Sequence, residues 1–472
     1  MSRGGDPMTT TLTRTEPRGA KAPTKTGTDP RAEAAERLTA GFDEFAAGRD
    51  EPEAVRRLRR RAIERFAAAG IPTTKQEAWR FTELRPLAET RFERAAGAAA
   101  VDAATLAPHV FDAAARLVFV DGFLVPGLSA LEGLPGGAFA GSLAAALDGE
   151  PHPAAEQLGR LAGVDEHPFA ALNTAFFADG ALVAVPRGVA IEGPIHLLFL
   201  STGAAEGAPA PATFPRILLV AGEASQATVV ETYAGLGPGV YLSSAVTEVV
   251  AGPGAVIDHC KVQRESRQAF HLSALAVHQE RSSNFFSHAV SSGGAITRND
   301  VNGVLAGEGG SCTLNGLYLV DGEQLVDNHM RVDHVAPHCF SYELYKGVLD
   351  GRARSVFNGL IHVHPGAQKT DAKQSNRNLL LSQGAMANSN PQLEIFADDV
   401  RCTHGSTVGQ LDDDAVFYLR SRGISEQAAK SLLTYAFASD IVGRIKVDPV
   451  RHDLEEFLFA RLPRGEVVRQ AV

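Results

Sequence analysis

The chain is short of cysteine, tryptophan, basic charge and long apolar runs, and each shortage excludes something. Four cysteines in 472 residues (Cys260, Cys312, Cys339 and Cys402) are too few and too scattered for a disulfide framework. No stretch of 18 apolar residues occurs, so nothing reads as a membrane-spanning helix. The N-terminus carries no apolar core of a secretory signal; a reduced, cytoplasmic protein is the expectation. A net charge of −10 argues against a nucleic-acid partner. The phosphate-cradling pattern Gly-x-x-x-x-Gly-Lys-Ser/Thr is missing, so any ATP chemistry belongs to a partner chain. The Gly-x-Ser-x-Gly elbow of a serine hydrolase is missing too. What is present is 46 glycines beside one tryptophan, with 44% hydrophobic residues. That fits a turn-rich β protein with a sizeable core, long enough for two or three domains.

Four regions follow from texture. Residues 1–30 are rich in Thr, Pro, Gly and basic side chains and read as a disordered tail. Residues 31–165 read as a mostly helical N-terminal domain. Leu38, Phe42 and Phe45 keep helical spacing there, and so do Val55, Leu58, Ala62, Ile63 and Phe66, with Arg56, Arg57, Arg59, Arg60 and Arg61 as a solvated basic face. Gly70 and Pro72 end that second helix. Residues 166–415 form the core region, and residues 416–472 a C-terminal helical domain. In the last of these, Ser425 is placed to N-cap a helix and Asp448-Pro to open another. Asp412-Asp-Asp is a solvated helix-start run.

The core region repeats. Strands begin near Ala227, Ala255, Asn284, Cys312 and Phe340, and the step between successive starts is almost constant. A second series begins near Tyr241, Phe270, Ala295, Gln324 and Arg354, with a similar but looser step. Two strands in each period of about 28 residues is the mark of a stacked coil, each turn burying its apolar face only against its neighbours. A sandwich of meandering hairpins is the competing architecture.

Near the end of this region, Leu393, Ile395 and Ala397 alternate as a strand does, and Cys402 and His404 stand two positions apart. On a strand that spacing puts both side chains on one face. A thiol beside an imidazole suits a soft transition metal or an iron–sulfur species. Two ligands are half of the usual four, so a working Cys402/His404 pair needs another chain. The remaining candidates have plainer readings. His362 and His364 read as outward-facing coil residues; His329, His334, His338 and Cys339 as surface and turn residues, since their spacing fits no zinc pattern. Cys260 and Cys312 read as core thiols. Lys369, Asp371, Gln374, Asn376 and Asn378 read as structural polar positions of the stack. Asp398-Asp399 is the nearest approach to the paired carboxylates of a carbohydrate-active β-helix enzyme, and no convincing constellation surrounds it.

Several segments resemble the SufB/SufD family of iron–sulfur cluster assembly proteins. They are Tyr345-Lys-Gly-Val-Leu-Asp-Gly, Phe357-Asn-Gly, Gln368-Lys-Thr-Asp-Ala-Lys-Gln-Ser-Asn-Arg-Asn-Leu-Leu-Leu-Ser, Leu393-Glu-Ile-Phe-Ala-Asp-Asp-Val-Arg-Cys-Thr-His-Gly and Phe417-Tyr-Leu-Arg-Ser-Arg-Gly-Ile. Cys-x-His-Gly-x-Thr-Val-Gly and Gln76-Glu-Ala-Trp-Arg-Phe-Thr are similar to the SufD branch. The likeness is dense over 340–445 and looser over 170–340. It implies a mainly β protein: a right-handed parallel β-helix flanked by N- and C-terminal helical domains. It implies a non-enzymatic scaffold that pairs through the β-helix with a SufB-like subunit and binds a SufC-like ATPase through the C-terminal helices. A SufB-like homodimeric scaffold is the alternative. The resemblance makes His404, and less directly Cys402, residues of a cluster site at the subunit interface. His404 would either ligate iron or position a sulfur intermediate. The cluster would be transient and not held by this chain alone, and flavin binding is left open.

Overall fold

The computed structural model describes residues 29–131, 134–165, 167–204 and 207–471. Residues 1–28, most of the expected tail, lie outside the described residues. Asp29 caps a helix that starts at Pro30, accepting from the Arg31 amide at 3.0 Å.

The repeat in the sequence is a parallel β-solenoid with two strands per coil. One sheet stacks Leu242–Ala251, Phe270–Gln279, Ile296–Leu305, Leu325–His334, Arg354–Val363 and Met386–Ile395 in that order. The other stacks Gln226–Gly235, Val256–Arg264, Asn284–Ser291, Ser311–Val320, Phe340–Leu349, Asp371–Leu380 and Arg401–Gly409. Each strand pairs with its equivalent one coil away, so Gln226, Val256, Asn284, Ser311, Phe340, Asp371 and Arg401 stand in one column. The expected strand starts fall on or beside these positions. Parallel neighbours cannot be joined by a tight hairpin, which rules out the meandering sandwich.

Alternate side chains point inward and form the core between the sheets, with Val229, Ile257, Phe285 and Leu314 from one and Val249, Val277, Val301 and Met330 from the other. Part of the outward face of each sheet is apolar too, where helices cover it. Ile63, Phe66, Trp79 and Phe169 pack on Leu218, Leu242, Phe270 and Leu272. On the opposite sheet Ala438, Ile441, Val442, Leu454 and Leu458 pack on Val262, Val290, Leu317 and Leu344. Ser425 and Asp412 cap the C-terminal helices, accepting from the amides of Ala428 and of Asp414 and Ala415. Among the described residues no helix is long and apolar enough to cross a membrane.

Two readings of the N-terminal region need correction. Helices fill 30–89 largely as expected, but Phe92–Arg94, Ala115–Val120 and Phe139–Ser142 are strands that pair with solenoid strands. Short and flanked by Ala-rich sequence, they carry no clear alternation. Arg59 does not belong to a solvated face; it is 1% exposed, pairs with Glu51 at 2.6 and 2.8 Å, and lies over the Phe177 ring.

Charged side chains tie the N-terminal helices to the stack. Arg298 covers the Trp79 ring at 3.8 Å and donates to the Ala78 carbonyl, Asp300 and Asp327, which seats the Gln76–Thr82 segment. Glu248 is fully buried, pairs with Arg216, and accepts from the amides of Gly159, Leu161 and Ala162 at 2.8, 2.8 and 3.0 Å. Burial alone would raise its pKa, but Arg216 and the three amides hold it below the usual carboxylate value. We predict that Glu248→Ala, which strands the Arg216 charge and three amides, costs about 3–5 kcal/mol in denaturant unfolding. A loss under about 1 kcal/mol, the scale of an exposed pair, would show that this network does not anchor the loop.

Candidate functional site at the open end of the solenoid

Strands Met386–Ile395 and Arg401–Gly409 each end their sheet, pairing on one side only among the described residues. The consequence is visible residue by residue. In the preceding strand, Ala372, Gln374, Asn376 and Asn378 face inward and are buried. Their partners one coil on are Cys402, His404, Ser406 and Val408. Cys402 is half-buried and the other three are exposed, because no further coil covers them. Large apolar side chains are left in water on this coil: Met386 (54% exposed), Phe396 (57%) and Val408 (48%). An unpaired strand edge beside exposed apolar groups is a ready template for pairing with another chain.

Cys402 and His404 share the inward face, as their spacing predicts. Cys402 packs against Ile361, Val363, Ala372 and Ala397. Burial pushes its thiol pKa up, Asp371 adds to this, and a backbone bond at Ala372 opposes it. The thiol is therefore a weak metal ligand until a positive charge arrives to favour the thiolate. A side chain at Gly405, on the opposite face of the strand, would meet nothing within 4 Å, so the outer face is open there too.

Beneath His404 the same column holds Gln374 and then Glu343. Gln374 donates to Glu343 at 2.9 Å, while the other carboxylate oxygen and the Gln374 carbonyl find no partner among the described residues. Burial pushes the Glu343 pKa up to about 7, against the pull of the Gln374 bond. Beside them Tyr318 donates to Asn378 at 2.6 Å, Asn378 to Asn376 at 2.7 Å, and Asn376 to Tyr318 at 3.0 Å. Gln374, Asn376 and Asn378 are thus structural, though as an interior network instead of a ladder of like residues. Lys369 is exposed and pairs with Asp399, the second residue of the Asp398-Asp399 turn.

The other candidates divide. Cys260 and Cys312 are core thiols, 1% exposed, raised in pKa by burial first and by nearby carboxylates. His362 and His364 are partly exposed on the outer face, next to Asp333. The surface reading of His334 and Cys339 is overturned. Both are fully buried at a coil corner, where His334 contacts the Ser341 hydroxyl at 2.9 Å and the Cys339 thiol donates to the Gly307 carbonyl at 3.3 Å. Turn residues of a solenoid can point inward as its strands do, and the turn signals around these two conceal it. Sequence reasoning misses Glu343, because Ser341, Glu343 and Tyr345 alternate with Tyr342 and Leu344 and both series have a claim to the core.

Two family models match the chain: SUF system FeS cluster assembly, SufBD core domain, over residues 201–437, and SufBD protein N-terminal region, over 43–197. Similar proteins include a SufBD family iron–sulfur cluster assembly protein of Synechocystis, 33% identical over 85% of this chain and 90% of the relative. The iron–sulfur cluster assembly protein SufD of Escherichia coli is 31% identical over 85% of this chain and 92% of its own length. That of Bacillus subtilis is 30% identical over 62% of this chain and 66% of its own.

The buried carboxyl under the site has a measurable signature. Unfolded, Glu343 ionises near its ordinary value of 4.5; folded, it keeps its proton to about pH 7. Between those values the folded state holds one proton more, so stability falls as pH rises and levels off above about 7. We predict that Glu343→Gln removes this loss. Its stability relative to the parent should rise by about 2–3 kcal/mol between pH 5 and pH 8. A difference that does not change with pH would mean that Glu343 ionises freely in the fold.

Proposed function

Because the chain belongs to the SufBD family of iron–sulfur cluster assembly proteins, we propose that it is the SufD-like scaffold subunit of an assembly complex. It pairs through the open end of its solenoid with a SufB-like subunit, and a nascent cluster forms between them as cargo. One observation carries this reading: the inward column, covered in each preceding coil by the next, here ends in a half-buried Cys402 and an exposed His404 with no further coil over them among the described residues. Two donors fit half of a cluster's coordination shell and leave the rest to the partner. The raised pKa of Cys402 favours a protonated, unreactive thiol until the partner and iron are present. No catalytic role is assigned to the chain, and cytoplasmic chemistry agrees with its scattered free cysteines.

The energy source would be an ATPase partner held by the C-terminal helices. The inner faces of the helices Glu426–Val442 and Asp448–Arg461 are spent on the solenoid. Helix Asp413–Ser421 offers Phe417 (71% exposed) and Tyr418 (56%) to a partner instead. A second copy of this chain is the competing occupant of the open end. Intact-mass measurement of the co-expressed assembly separates a heteromer from a homodimer.

Two outcomes are expected. His404→Ala leaves the assembly intact by mass and lowers anaerobic cluster formation by at least about tenfold, the scale of losing a ligand's support; dissolution of the assembly would make His404 structural. Phe417→Asp with Tyr418→Asp releases the ATPase while pairing and the unfolding midpoint hold. Retained ATPase would refute that placement. Deleting residues 424–472 is a poorer test, because it strips the cover from one solenoid sheet.

A further inference from the structure

We propose that Asp333, His362 and His364, with Glu394 beside them, form a site for a divalent first-row transition metal ion on the outer face of the last coils. This site is separate from the Cys402/His404 pair, which faces inward, and goes beyond the cluster-assembly reading. Ile361 and Val363 are fully buried, so His362 between them points out of the stack.

Parallel register does the assembling. Asp333, His362 and Glu394 are partners on three successive strands, and His364 follows at the end of the middle strand. One donor atom each from Asp333, His362 and His364 lies within 4.8 Å of the others. The two imidazoles meet edge to face with centroids 4.5 Å apart. Nδ1 of His362 is 2.8 Å from the Glu394 carboxylate, and Nε2 of His364 is 3.4 Å from that of Asp333. The His362 ring is thus already oriented by the Glu394 carboxylate on one nitrogen, the arrangement that presets the other nitrogen for metal, while His364 and Asp333 turn their donor atoms toward each other. Two imidazoles with carboxylate suit zinc, cobalt or ferrous ion, and the absence of thiolate argues against soft monovalent copper.

The competitor is Arg331, whose guanidinium holds both oxygens of Asp333 at 2.6 and 2.9 Å. The Arg331 side chain is 48% exposed and that of Asp333 13%; their two-bond contact is the strong form of such a pair, so the ion binds by displacing the guanidinium from at least one oxygen. His364 and Glu394 are also open to water, so the ion would exchange readily and keep free coordination positions.

The test uses the full-length, tag-free protein, stripped by a chelator and titrated anaerobically with Co²⁺. One ion per chain should bind with a visible d–d absorption band. His362→Ala with His364→Ala should weaken binding by at least ~10-fold, and Glu394→Gln by less. Cys402→Ala with His404→Ala should leave it unchanged. An unaltered metal-free unfolding midpoint shows that the variants fold; His362→Gln with His364→Gln serves if the alanines do not. Absence of the band, equal affinity in the histidine variants, or loss in the Cys402/His404 variant would overturn the site.

Discussion

A coil of this solenoid cannot satisfy itself. Its strands have backbone donors and acceptors on both edges, and its inward side chains are covered only by the coils before and after. Every other feature answers that demand. At one end the short strands Ala115–Val120 and Phe139–Ser142 extend the sheets before the first full coil, and helices cover part of each outer face. At the far end no further coil follows among the described residues, and there the inward column runs out at Cys402, His404, Ser406 and Val408. The surface proposed to carry function is the place where the folding rule of the stack has not been completed within one chain.

The stack is legible in the sequence because its rule is periodic. Loop lengths vary, and the chain from Phe270 to its register partner Ile296 is shorter than that from Arg354 to Met386. The strand starts nevertheless stay in step, since in-register pairing restores alignment at every coil. The Cys402/His404 pair is legible for a related reason: alternation on a strand is a strict rule of period two. What cannot be read are properties set by a neighbour far along the chain. Arg59 looks like its solvated neighbours until Glu51 and Phe177 enclose it. His334 and Cys339 sit among turn residues, yet the corner they occupy is roofed by the next coil through Thr370 and Ser341. Asp333 and Glu394 reach His362 from the coils before and after it, which no local motif signals.

The interior is unusually polar for a stacked core. Glu231 receives Tyr233, Thr247 and His259 at 2.8–2.9 Å; Lys261 donates to Ser273 and Asn299 at 2.6 and 2.9 Å. An apolar stack of near-identical coils could slip by one residue or one coil at modest cost. Buried partners that fit only one alignment penalise such slips, because a displaced member leaves an unpaired group in the core. The network thus specifies the alignment that carries Cys402 and His404 to the end of their column.

Splitting a coordination shell between two chains has a thermodynamic consequence. A cluster that requires donors from both subunits binds the pair and not the separated chains, so it stabilises the pair in proportion to its own affinity. By the same linkage, anything that strains the interface lowers the affinity for the cluster by an equal factor. A closed set of four thiolates in one chain would hold its cargo through every such change. On the proposed reading, a half-shell at an unfinished coil would surrender it when the subunits move, as a scaffold that builds and then releases requires.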